Sequence, residues 1–347
     1  MGVAGRYDAQ DSQQKNASTL PLFLAIDQGV HASRVMVFDQ SGRKVVEARQ
    51  MVEVSHPKPD WVEQDADALV QSVQSALGEA LDKLGARRQF LVAAGLVTQR
   101  SNIVCWNRNT GHALSPAISW QDRRAQEWMQ PFDEHADTIR QITGLVPSAH
   151  YGASKIHWCL EQLKEVAAAR AQGTLACGPL ASFLLFRLLK EKPFVVDSVN
   201  ASRTLLWDRT SHDWSTELLS LFCLDAGYLP RCVPNHYAFG HLNIDGQTIP
   251  LTVCSGDQSA VLFSLGVPKP GDAYLNMGTG AFMQCVLPRK QNQKAPPHLL
   301  QSVVWDTGGE AMQVIEATVN GAGSALSVME ETLGISTEEP QIGRAHV

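Results

Sequence analysis

Apolar positions first gather into runs at Pro21. Leu22 to Ile26 is a short apolar run stopped by Asp27-Gln28-Gly29, Arg34 to Asp39 is a second, and Ser41-Gly42 turns the chain into a third, Lys44 to Val52. Short runs joined by turn chemistry predict an antiparallel meander. At Asp65 the period changes: Leu69, Val73, Leu77, Leu81 and Leu84 recur at helical spacing, with Gly85 placed to stop the helix. Phe90 to Thr98 then predicts a buried strand, and strand, crossover helix and returning strand together predict an α/β layer fold. Further helices are expected at 151–171 and 177–190. Near residue 248 the pattern begins again, with a strand at Leu251 to Cys254, another at Ala273 to Met277, and a helix from about Gly321 to Gly334. The expected division is a disordered tail over 1–20, a first domain over 21–248, and the start of a second, incomplete domain over 249–347.

Composition fits this picture. The 347 residues are 44% hydrophobic and 18% charged, enough for about two domains of roughly 100–200 residues. The formal net charge of −6 offers no basic surface for nucleic acid or an anionic membrane. No apolar stretch approaches the roughly 20 residues of a membrane helix, and the first twenty residues lack the apolar core of a signal peptide. Seven scattered cysteines without a C-x-x-C pair predict free thiols in a reducing compartment, hence a cytoplasmic protein.

Common chemistry motifs are missing: there is no G-x-x-x-x-G-K-[ST], no complete dinucleotide fingerprint, no H-E-x-x-H and no G-x-S-x-G. Two carboxylates beside glycine turns remain. Asp27, followed by Gln28-Gly29, suits a Mg²⁺ ion beside backbone N–H groups that face a phosphate; taken alone, the tripeptide is more often a plain hairpin turn. Asp257, in Ser255-Gly256-Asp257-Gln258, suits a base that takes a hydroxyl proton, or a helix cap. Gly278-Thr279-Gly280 is either a second phosphate turn or a simple β-turn. Arg100 and Trp120 together offer donors and a flat apolar wall to a polyhydroxylated ligand, or a surface salt bridge and a core indole. His31, His150 and His157 show no metal-ligand spacing.

In their order along the chain these segments resemble the FGGY carbohydrate kinases, the glycerol-kinase branch most closely, from about Leu24 to Gly334. The likeness rests on Ala25-Ile26-Asp27-Gln28-Gly29 with Arg34, Trp61-Val62-Glu63-Gln64-Asp65, Thr98-Gln99-Arg100 and Ala117 to Arg123. It continues through Ser154-Lys155-Ile156-His157-Trp158, Asn200-Ala201-Ser202-Arg203-Thr204, Ser255 to Gln258 and Gly278-Thr279-Gly280. The resemblance implies an actin-like, ribonuclease H-like pair of domains closing over ATP–Mg²⁺ and a small polyol or sugar, and leaves a homo-oligomer open. It implies Asp257 as general base and, with Asp27, as metal ligand. Gln28, Gly29, Val30, His31, Ser33, Arg34, Gly278, Thr279 and Gly323 would face ATP; Arg100, Ser101, Trp120, His150, Asp257 and Gln258 would hold the acceptor.

Three departures stand out. Val30-His31-Ala32 replaces three hydroxyl residues of the family's first phosphate turn, Ser101 replaces a glutamate, and His150 replaces a tyrosine. Each lost neutral hydrogen bond is worth about 0.5–1.5 kcal/mol, so weaker nucleotide binding is expected rather than none. Residues 342–347 read like a translated sequencing adapter, and the family's second domain continues further, so a truncated reading frame is expected. Two other functions stay open at this point: a non-catalytic ligand-binding relative, and an actin-like ATPase of the chaperone type.

Overall fold

The structure, a computed structural model, describes residues 20–244, 246–277, 281–288, 295–296 and 298–319. The expected tail up to residue 19, the Gly278-Thr279-Gly280 turn, Gly323 and the helix at 321–334 lie outside them.

The predicted meander is present as β1 (Leu22–Gln28), β2 (Ala32–Asp39) and β3 (Lys44–Met51), each antiparallel to the next. The crossover helix α1 (Ala66–Leu84) begins at Asp65, whose carboxylate accepts the Ala68 N–H at 2.8 Å. It ends at Gly85, where φ of 55° favours glycine. Leu69, Val73, Leu77, Leu81 and Leu84 all face inward, as their spacing predicts. Each such buried side chain stabilises the layer by about 1.5–3 kcal/mol. The helix delivers the chain to β4 (Leu91–Thr98), which lies parallel to β1.

The sheet is completed far along the chain by β5 (His236–Ile244) and β6 (Gln247–Gly256), giving the order β5-β6-β4-β1-β2-β3. The strand expected at 251–254 to open a second unit is therefore built into the first sheet, parallel to β4. The break expected between 248 and 249 falls inside β6. A separate four-stranded antiparallel sheet follows, from β7 (Ala273–Met277), β8 (Ala281–Val286), β9 (Leu300–Asp306) and β10 (Ala311–Val319).

Two helix boundaries differ from expectation. The helix expected at 151–171 is broken by Leu163 in an extended conformation, leaving Gly152–Gln162 and Lys164–Ala171. Leu163 packs on the buried cluster containing Ile103, Ile156 and Leu160, and that packing outweighs helical continuity. The helix expected at 177–190 starts only at Leu180, because Leu175–Pro179 pairs as a strand with Ile103–Asn107. Pro179 then stands at the cap of Leu180–Leu188, the side of a helix that tolerates proline.

Candidate active site at the ends of three parallel strands

Parallel pairing brings three strand ends level. Gln28 of β1, Thr98 of β4 and Gly256 of β6 share one row of the sheet, and Asp27, Val97 and Ser255 the row before it. The chain leaving these ends carries Gly29, Gln99-Arg100 and Asp257-Gln258 into one neighbourhood, at the carboxyl edge where open α/β sheets bind ligands.

Asp257 opens the short helix Asp257–Ala260, whose cap position is taken by Gly256. Its Oδ1 accepts the Gln258 N–H at 2.7 Å, so the helix-cap alternative does not describe it. Burial pushes the Asp257 carboxyl above the usual range, against the pull of Arg100, and the charge of Asp27 pushes it the same way. Asp27 lies within β1 rather than in the turn. Burial raises its carboxyl too, opposed by Arg34, its cross-strand partner in β2. Two partly hidden carboxylates that feel each other are a donor set for Mg²⁺, which takes one or two carboxylates and keeps water and phosphate oxygens for the rest. Among the described residues no cluster of three or more carboxylate, His or Cys groups forms a cage made by the protein alone.

Arg100 crosses the end of β6. A Cβ on Gly256 would lie 2.4 Å from Arg100 Cγ and 2.6 Å from its Cδ, so the arginine stem fits there only over a glycine. Gly256→Ala is accordingly expected to displace Arg100 and weaken acceptor binding. Stability should fall by about 1–3 kcal/mol, as overpacking does, which calorimetry and a melting curve on one preparation will check.

The guanidinium of Arg100 meets a residue that sequence reasoning missed. Glu316, on β10, is 1% exposed and stands 3.7 Å from Arg100 Nη1 and 3.5 Å from Arg203 Nη2. Gln284 donates to Glu316 Oε2 at 3.2 Å, and Arg203 Nη1 donates to Ser302 Oγ at 2.9 Å. Burial opposes the charge of Glu316, but Arg203 and Arg100 outweigh it and hold the carboxyl below its ordinary range. Burial, with repulsion from Arg203, lowers Arg100 in turn. The signal was available: Glu316 is the one charged residue in the strand Ala-Met-Gln-Val-Ile-Glu-Ala-Thr-Val.

Residues expected at the acceptor line up as an aromatic wall. The Trp120 and His150 rings lie 5.7 Å apart, His150 and Tyr151 4.9 Å apart, and Arg203 sits 5.2 Å above the Tyr151 ring. Burial, with the positive charges of Arg203, Lys155, Arg123 and Arg100, holds His150 well below its usual pKa and so favours the neutral ring. Ser101 adopts a left-handed backbone with φ of 65°, and its buried Oγ has no hydrogen-bond partner among the described residues. Gln258 Oε1 accepts from Asn276 Nδ2 at 3.0 Å, which points the amide toward β7.

Lys155, part of the Ser154-Lys155-Ile156-His157-Trp158 segment, shapes this wall from behind. Its buried Nζ donates to the carbonyls of Ala149 at 3.1 Å and Tyr151 at 3.3 Å, and to that of His150. Burial, helped by Arg123 and Arg124 against Asp122, lowers its pKa to about 7. Below that pH the ammonium offers three N–H groups to three carbonyls, and above it the amine offers two. Acceptor affinity is expected to fall by about 2–10-fold as pH rises through about 7, the worth of one hydrogen bond. Lys155→Arg, which stays charged, should abolish that pH step in a calorimetric series.

Not every residue expected at ATP is free to face it. Gly29 closes the β1–β2 hairpin by donating to Ala32 O at 3.0 Å, and Val30 and the exposed His31 form its tip. Arg34 is exposed beside Asp27. Ser33 corrects the expectation: it is fully buried, and its hydroxyl bonds Ser72 Oγ of α1 at 2.8 Å, so it cannot replace the hydroxyls lost at 30–32. Gln28 is buried too, its amide donating to Gly29 O at 2.8 Å. Gly278, Thr279 and Gly323 lie outside the described residues. Among those described, no helix is long and apolar enough to cross a membrane.

Relatives of known kind share this architecture. The family model for the N-terminal domain of the FGGY family of carbohydrate kinases matches residues 22–264. A glycerol kinase of Geobacter sp. (strain M21) is 33% identical over 317 residues, covering 90% of this chain and 64% of that protein. One of Enterococcus casseliflavus is 30% identical over 323 residues, covering 92% and 64%. Among solved structures, Plasmodium falciparum glycerol kinase with ADP superposes with a TM-score of 0.85 at 24% identity, over 91% of this chain and 64% of that one. A xylulose kinase from Rhodospirillum rubrum gives 0.80 at 18%, over 92% and 64%. The chain thus spans a little under two thirds of the length of these relatives, and its fold is the actin-like, ribonuclease H-like one that the resemblance implies. On the match over residues 22–264, this chain belongs to the FGGY family of carbohydrate kinases.

Proposed function

We propose that the protein, at the length of its relatives, transfers phosphate from ATP to a hydroxyl of a small polyol or sugar. One observation carries this: the level ends of β1, β4 and β6 bring Asp27, Arg100 and Asp257 together. Asp257, made more basic by burial, takes the proton of the attacking hydroxyl. Arg100 and Ser101 donate to the acceptor's other oxygens, and Trp120 with His150 covers its C–H face. The N–H groups at Val30 and His31 would face the phosphates, and Asp27, with Asp257, would hold Mg²⁺, which would supply neutralisation of the phosphate charge.

The acceptor is expected to differ from glycerol in the pattern of hydroxyls it presents. Ser101 brings no carboxylate to the pocket, and the nearby Glu316 is already shared by two arginines. Titrating this chain with ATP–Mg²⁺ and with a panel of polyols, sugars and their acids tests the binding half of the proposal. Phosphate transfer by a version of the relatives' full length tests the rest. Polyol binding without nucleotide binding or transfer would replace the kinase by a binding-only relative. ATP hydrolysis indifferent to every polyol would replace it by an ATPase.

A further inference from the structure

We propose that Gln99 is a positioning residue shared by the hairpin tip at Gly29-Val30-His31 and the acceptor wall at Trp120, and that it couples the two. What the two places bind rests on the kinase proposal; the coupling does not.

Four amide side chains, Gln28, Gln64, Gln99 and Asn102, are each no more than 2% exposed and join into one chain of hydrogen bonds. On the hairpin side the Gln99 backbone N–H donates to Gln28 O at 3.1 Å. Its Nε2 lies 3.2 Å from Gly29 O, 3.2 Å from Gln28 Oε1 and 3.0 Å from Gln64 Oε1. Gln64 Nε2 then donates to Val30 O at 2.9 Å. On the acceptor side Asn102 Nδ2 donates to Gln99 Oε1 at 3.2 Å, and Asn102 Oδ1 accepts the Trp120 N–H at 2.8 Å.

The orientation follows from peptide geometry. In a planar trans peptide the N–H points opposite to the carbonyl of the preceding residue. Drawing the Gly29 and Val30 carbonyls into the buried amides therefore turns the N–H groups of Val30 and His31 outward. These are the donors left to the hairpin once its hydroxyls are absent and Ser33 is turned inward. A primary amide is the group that serves both arms, because one end donates and the other accepts. Arg100 and Ser101 lie between Gln99 and Asn102, so anchoring both flanks also fixes the arginine and the left-handed serine. In so dry a network, losing one partner strands the others, and a disturbance in one arm reaches the other.

Gln99→Glu separates the arms. It keeps the acceptor for Asn102 but sets an oxygen against Gly29 O, Gln28 Oε1 and Gln64 Oε1. In ¹⁵N-labelled protein the amide signals of Val30 and His31 are expected to move, and that of Trp120 with them, although Trp120 keeps its own acceptor. ATP–Mg²⁺ and the acceptor should each bind about tenfold more weakly. A Trp120 signal that stays in place while the hairpin signals move overturns the coupling; so does a variant that melts earlier with all three signals in place. If Gln99→Glu does not fold, Asn102→Asp enters from the other end, keeping the Trp120 acceptor and removing only the donor to Gln99. The Val30 and His31 amides must then shift, and their constancy overturns the proposal. If the wild-type chain binds neither ligand, the kinase proposal fails and the amide signals still decide the coupling.

Discussion

Asp257→Asn is expected to cost about 10²–10⁴-fold in turnover, measured on the protein at its relatives' length, while acceptor affinity changes by less than about threefold. The amide keeps the size of the carboxylate and can still accept the Gln258 N–H, so geometry survives; the proton acceptor does not. The same change should raise the melting temperature at neutral pH. Asp257's pKa is higher in the fold than in the unfolded chain, because burial penalises its charge. Its contribution to stability is therefore fully present below the unfolded value of about 4 and is lost as pH rises through the folded value. Asparagine never pays that penalty. The thermal gain should appear at neutral pH and vanish in acid, and a mutant with normal turnover would remove Asp257 from the mechanism.

Glu316→Ala is expected to be the most damaging substitution to stability, at about 3–5 kcal/mol, because it strands two buried guanidinium groups at once. For a chain of this size that is a fall of roughly 4–7 °C in melting temperature. The pH dependence has the opposite sign to that of Asp257. The Glu316 pKa is depressed in the fold, so its stabilisation is present above the unfolded value and lost as pH falls through the folded one. The deficit of the variant should accordingly shrink in acid. Glu316→Gln keeps the bond from Gln284 but not the charge, and should fall between. A Glu316→Ala protein as stable as the parent would mean that Arg100 and Arg203 find other anions, Asp257 first among them.

What was legible in the sequence is what local patterning controls. The meander, α1 with its Asp65 and Gly85 ends, and β4 were all readable from period and turn residues. Asp27 and Asp257 stood out because each follows or closes an apolar run beside a glycine, and Arg100 because it follows a buried strand. Pairing between distant segments was not readable. Nothing local in Gln247–Gly256 says that it belongs beside β4 rather than in the second sheet, and residues 177–179 read as the start of a helix until their strand partner Ile103–Asn107 is known. Side-chain direction was hidden for the same reason: Ser33 looks like a phosphate donor until Ser72 of α1 claims its hydroxyl. Glu316 and Arg203 acquire their roles only through contacts with residues far away in the chain, and Lys155 only once its own turn of chain folds the 149–151 carbonyls back onto it.

The late arrival of β6 has a consequence for how the protein folds. β1 and β4 can pair early, since α1 connects them through local, quickly formed structure. Until Gly256 has been synthesised, however, β4 is an open edge of unpaired N–H and C=O groups, a template for any other extended chain. Closing that edge is a slow, non-local event, and the same closure sets Asp257 beside Arg100. Partly folded chains should therefore be inactive and prone to aggregate together, and regain of acceptor binding should track the slowest refolding phase rather than the recovery of helix signal.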